Sequence, residues 1–215
     1  MTEYVLLVDA HQALRTTVAA VDPADWALRT PCAEWNVTQV LQHAAGDQLA
    51  YAAAITGGPG PAENPFAPSG KLRDAPLIVL DLALDATVNA WATVATDAEN
   101  VPNPLPQGPM SATLAAGACA LDAAVHAWDI AVATGQPSPL TAPMAEALLP
   151  IATALCEPLR AWGRSGPSCR PRAGTTPPPR CCATWAANPA GRPDPAGSRS
   201  GARRVDPRVP VTRCC

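Results

Sequence analysis

Aromatic side chains are scarce in this 215-residue sequence: six Trp, two Tyr and one Phe make up 4% of it. A sheet-based core draws on aromatic and β-branched residues, whereas here Ala, Leu and Val must fill most of the interior, a stock that favours helices. Long uncharged apolar runs are missing too. No 18-residue stretch is both uncharged and uniformly apolar, which argues against a transmembrane helix and against membrane partners. The first residues have neither the basic start nor the cleavage site of a secretory leader, so the chain reads as cytoplasmic.

Positive charge is nearly absent from the first three quarters. Residues 1–163 carry 5 Lys/Arg against 16 Asp/Glu, while residues 164–215 carry 10 Arg against 2 Asp. An acidic body is a poor footprint for nucleic acid, and none is expected as a partner. The cysteines divide in the same way, with Cys32, Cys119 and Cys156 in the body and Cys169, Cys181, Cys182, Cys214 and Cys215 beyond it. Reduced thiols are expected in a cytoplasmic chain. Cys32, next to Pro31, suits the role of a small buried hydrophobe, and the paired tail cysteines lack the Cys-x-x-Cys spacing of a zinc knuckle.

Helical periodicity divides the body into five segments. A first helix is expected over residues 3–21, with Val5, Leu6, Val8, Leu14, Val18 and Val21 on its apolar face, stopped by Asp22-Pro23. Asn36 reads as the N-cap of a second helix, with Gln39 as its capping-box partner and Gly57-Gly58-Pro59 as the stop. Residues 57–70 form a turn-rich crossover suited to lie over a site mouth. A third helix is expected over residues 75–96 with Leu77, Leu82, Leu84, Val88 and Trp91 inward, a fourth over 111–134 with Ser111 as N-cap and Gly135 just past its end, and a fifth over 141–162 carrying Met144, Leu148, Leu149, Ile151, Leu155 and Leu159. The fold class implied is all-α, a four-helix bundle with an extra terminal helix over residues 1–163.

Only three histidines are present, and imidazole is the commonest metal ligand in proteins. His43 sits in the middle of the second helix, where a lone histidine is more often a hydrogen-bonded helix residue than a ligand. His126 follows Asp122 by four residues, which puts carboxylate and imidazole on one helix face. His11 has no acid or thiol at helical spacing on its own face, and its neighbours Gln12 and Arg15 suggest a solvent-facing residue. One His from one helix and Asp-x-x-x-His from another give three ligands with an open fourth position, the arrangement of catalytic zinc. That position could take water or a thiol. Asp47, one turn after His43, and Trp128 and Asp129, beside His126, are candidates for supporting or pocket residues, as is Trp35. The plainer alternative has Asp47 facing solvent and Trp128 in the core.

The segment Thr30-Pro-Cys-Ala-Glu-Trp-Asn-Val-Thr-Gln-Val-Leu-Gln-His43 and the block Ala120-Leu-Asp122-Ala-Ala-Val-His126-Ala-Trp-Asp-Ile-Ala-Val-Ala-Thr-Gly-Gln136 resemble the DinB-like, mycothiol-dependent maleylpyruvate isomerase metal-binding family of actinobacteria. The resemblance covers roughly residues 5–160. It implies a bundle binding one divalent metal through His43, Asp122 and His126, with Asp122 standing where the isomerase itself has Glu. It implies a mycothiol-dependent transferase or isomerase acting on a small-molecule thiol or other small substrate, and a homodimer, since relatives often pair bundles. No catalytic residue is assigned. A non-catalytic stress or scavenging module and a metal-dependent hydrolase stand as alternatives. The ligand types favour zinc and also suit nickel, iron or manganese.

The tail departs from the family, whose chains resemble one ending in Leu-Leu-x-x-Leu-Gly-Arg-x-Pro. Shifted by one nucleotide, codons for residues 179–189 permit Leu-Leu-Arg-Tyr-Leu-Gly-Arg-Gln-Pro. Residues 164–215 are therefore expected to be a frameshifted family C-terminus, rich in Pro, Arg and Cys and disordered.

Overall fold

The computed structural model describes residues 4–161, with side chains to Leu155; the expectations for the tail from residue 164 lie outside these. Five helices follow in order: α1 Val5–Ala19, α2 Val37–Thr56, α3 Pro76–Trp91, α4 Ala112–Ala133 and α5 Ala142–Ala161. The described residues contain no strand, only two isolated bridges, Arg29 with Asn36 and Val101 with Met110. Helix α1 lies against α4 and α3, and α2 lies against the same two, which closes a four-helix ring. Helix α5 packs outside it on α4, with a smaller contact to α1. The architecture is the expected all-α bundle with an added helix.

The helix starts follow from local chemistry. Asn36 accepts from the Gln39 amide at 2.9 Å while the Gln39 side chain accepts from the Asn36 amide at 3.1 Å, a complete capping box. Gly57 ends α2 in the left-handed region at φ 70°. Ser111 caps α4, and Pro76 supplies the preset φ at the start of α3.

Helix α4 is the central element. Its alanines at 112, 115, 118, 120, 123, 124, 127 and 131 are all buried, and such small side chains let neighbouring helices come close. At Gly117 the approach is closest, because a Cβ there would collide with Ile151 of α5. By length and composition α4 could cross a membrane, but 72% of its most apolar window is buried within the bundle, as expected of a core helix.

Several inward assignments are corrected. On α1 the buried stripe is Leu7, Ala10, His11, Leu14, Thr17 and Val18, while Val5 and Val8 are exposed. On α3, Leu80, Ala83, Leu84, Thr87, Ala90 and Trp91 turn inward and Leu82 and Val88 outward; on α5, Leu149 is exposed. These helices have apolar residues on more than one face, so counting large hydrophobes alone rotates the stripe. Cys32 is buried, as expected of a small hydrophobe, and Cys119 is free and buried.

Candidate metal centre

Helices α2 and α4 face each other, and each presents an i, i+4 pair to the space between them: His43 and Asp47 from α2, Asp122 and His126 from α4. The i, i+4 spacing stacks each pair on one helix face. His43 Nε2 lies 3.9 Å from Asp122 Oδ1, and His126 Nε2 lies 3.5 Å from the same oxygen. The three donor atoms lie within 4.8 Å of one another. Ligand bonds of about 2.1 Å in tetrahedral geometry give donor separations of about 3.4 Å, so a small inward movement would close this triangle on an ion.

The state of each imidazole follows from its other nitrogen. His43 Nδ1 is 3.0 Å from the Pro65 carbonyl, which can only accept, so Nδ1 carries the proton and Nε2 offers its lone pair. His126 Nδ1 donates in the same way to Asp129 Oδ2 at 3.1 Å. Both rings therefore turn Nε2 toward the Asp122 oxygen, with a carbonyl or carboxylate behind each, the usual support of metal-bound histidines; the His43 lone pair is free, and that of His126 becomes free when a metal displaces its Nε2 proton. This donor chemistry fits a divalent ion with affinity for nitrogen and oxygen.

Electrostatics distinguish the rings in the metal-free protein. His43 is almost wholly buried, and burial, with the charge of His126 adding to it, lowers its pKa to about 4. Burial also acts to lower His126, but the hydrogen bonds and charges of Asp122 and Asp129 outweigh it and bring its pKa to about 10. Burial pushes Asp122 up, yet the His126 hydrogen bond, the two imidazoles and the Gln48 amide together hold it below the usual carboxylate value.

Loops and rings wall the site. The crossover after α2 lies over it as the sequence suggested, pinned where Pro65 sits on Gly46 and where Gln42 donates to Ser69 Oγ and to the Lys71 carbonyl. A side chain at Gly46 would strike the Pro65 ring at 2.9 Å, so glycine permits this approach. Trp35 lies 4.6 Å and Phe66 5.4 Å from the His43 ring, centroid to centroid, and the His126 ring meets His43 edge-on at 4.6 Å. Asp47 is partly exposed with Oδ2 3.6 Å from His43 Nε2. Trp128 packs against the core, its indole N–H buried with no hydrogen-bond partner among the described residues.

Sequence reading missed three residues, two of them buried polar groups between helices. His11, expected at the surface, is 5% exposed and bonded to Gln48 at 2.8 Å. Gln48 is fully buried and reaches Asp122 Oδ2 at 3.3 Å. Their partners lie on other helices, so spacing along one helix gave no signal. Phe66, the sole phenylalanine, was passed over inside its turn-rich segment.

Comparison with family models matches residues 7–131 to the mycothiol maleylpyruvate isomerase N-terminal domain. The chain belongs to this family. No curated protein and no solved structure gives a match. The matched span of this isomerase-family chain runs from α1 through the His43, Asp122 and His126 cluster.

Proposed function

We propose that this member of the mycothiol maleylpyruvate isomerase family binds one divalent metal ion through His43, Asp122 and His126 and uses it, with mycothiol or a related low-molecular-weight thiol, in a transfer or isomerisation reaction in the cytoplasm. The observation that carries the metal reading is the pair of imidazoles whose Nδ1 protons are engaged by Pro65 and Asp129, leaving both Nε2 atoms turned to one carboxylate oxygen. The thiol reading rests on the family. Zinc suits the donor set, as do nickel, iron and manganese.

A bound ion would supply a positive charge that lowers the pKa of a thiol or water at an open coordination position. The chain's own residues do the rest. Pro65 and Asp129 fix the two rings, and the aromatic faces of Trp35 and Phe66 beside His43 limit water around a ligand. Asp47, partly exposed and within 3.6 Å of His43, is placed to exchange a proton with a substrate.

Calorimetric titration of mycothiol into the zinc-loaded full-length chain tests this. Saturable binding that disappears on zinc removal is expected. Stoichiometric zinc without thiol binding would remove the thiol reading and leave the non-catalytic module or the hydrolase.

A further inference from the structure

Gln48 lies on α2 with no exposed surface, and both ends of its side-chain amide are engaged twice. Its nitrogen donates to the Cys119 carbonyl at 3.2 Å and to Asp122 Oδ2 at 3.3 Å. Its oxygen accepts from the Cys119 thiol at 3.0 Å and meets His11 Nε2 at 2.8 Å. Reversing the amide would set its oxygen against a carbonyl and a carboxylate and its NH2 against a thiol donor, so the orientation is determined by partners rather than assumed. His11 Nε2 must then donate, which leaves Nδ1 unprotonated. That atom is buried with no partner among the described residues, a cost that burial of His11 for packing alone does not explain.

Asp122 is thereby divided. Oδ1 faces His43 and His126, while Oδ2 is held by Gln48. Turning the carboxylate to present both oxygens to an ion would break the Gln48 bond and leave one buried amide hydrogen unpaired. We propose that Gln48 is a positioning residue that keeps Asp122 a one-oxygen ligand of the His43, Asp122 and His126 site, its amide locked by His11 and Cys119. This rests on the metal reading above, and it identifies what the buried His11 does.

Cobalt(II) titration of the full-length chain, followed by visible absorption, tests the proposal. Gln48→Met keeps length and bulk while removing the amide. It is expected to weaken cobalt binding roughly 10–100-fold and to lower the absorption per bound cobalt, as Asp122 chelates and the coordination number rises. If Gln48→Met does not fold, Gln48→Glu serves: it retains an acceptor for His11 and Cys119 but sets an oxygen against Asp122, and the same or a larger loss is expected. His11→Gln, which still offers a donor to Gln48, should keep the wild-type spectrum, and His11→Leu should not. A Gln48 variant that melts earlier yet binds cobalt with wild-type affinity and spectrum would overturn the proposal and leave the metal reading standing. Wild-type protein that takes up no cobalt would remove both.

Discussion

His43 and His126 share a carboxylate oxygen and differ in what lies behind them, a neutral carbonyl for one and a second carboxylate for the other. The metal-free site therefore holds a proton on His126 at neutral pH, and a metal must displace it. Zinc binding at pH 8 should release about one proton per ion, measured by calorimetry in buffers of different ionisation enthalpy; no release would mean that His126 is neutral and its pairing with Asp122 and Asp129 weaker than the geometry implies. Asp129→Asn keeps the shape and removes the charge behind the ring, so zinc affinity should fall roughly tenfold or more, read by competition with a chelator. The Asp122-x-x-x-His126 pair was legible in the sequence because both residues lie on one helix. His11 and Gln48 were not, because a buried polar pair between helices leaves no periodic mark.

Each helix carries signals of two kinds, and they differed in legibility. Caps were read directly: Asn36 with Gln39, Ser111, Gly57 and Gly135 all act as their chemistry suggests. Asn36→Ala should cost about 1 kcal/mol in chemical denaturation, and a change within error would mean that the bonds from Val37 and Thr38 to the Leu28 and Trp26 carbonyls hold the start of α2 without the cap. Facing was read less well, since Leu82 is exposed at 65% while the smaller Ala83 is buried. In an alanine-rich bundle the inner face is marked by small size as much as by bulk. Gly117 is the extreme case. Gly117→Ala should destabilise the fold by roughly 1–3 kcal/mol through overpacking against Ile151, and Ile151→Val in the same chain should recover part of that. Equal stability of wild type and Gly117→Ala would mean that α5 is not seated as described.

The whole molecule should show a pH optimum set by these buried imidazoles. His43 has a folded pKa of about 4, below the 6.5 of a free imidazole, and His11 is lowered by burial as well. Between pH 6.5 and 4 the unfolded chain binds the extra protons, so stability falls as pH drops through that window. His126 acts with the opposite sign: its folded pKa is about 10, so its contribution is complete below 6.5 and is lost as pH rises toward 10. Thermal melting of metal-free protein should peak near pH 6.5, and saturating zinc should flatten the alkaline side, where the ion takes the place of the proton. A metal-free profile that keeps rising from pH 6.5 to 10 would contradict the paired state of His126.

The most direct test of the metal site is the metal content of the purified full-length chain by mass spectrometry, beside His43→Ala and His126→Ala. About one divalent ion per wild-type chain, lost in both variants, is the expected result. A wild-type chain that holds no metal after zinc is supplied would contradict it.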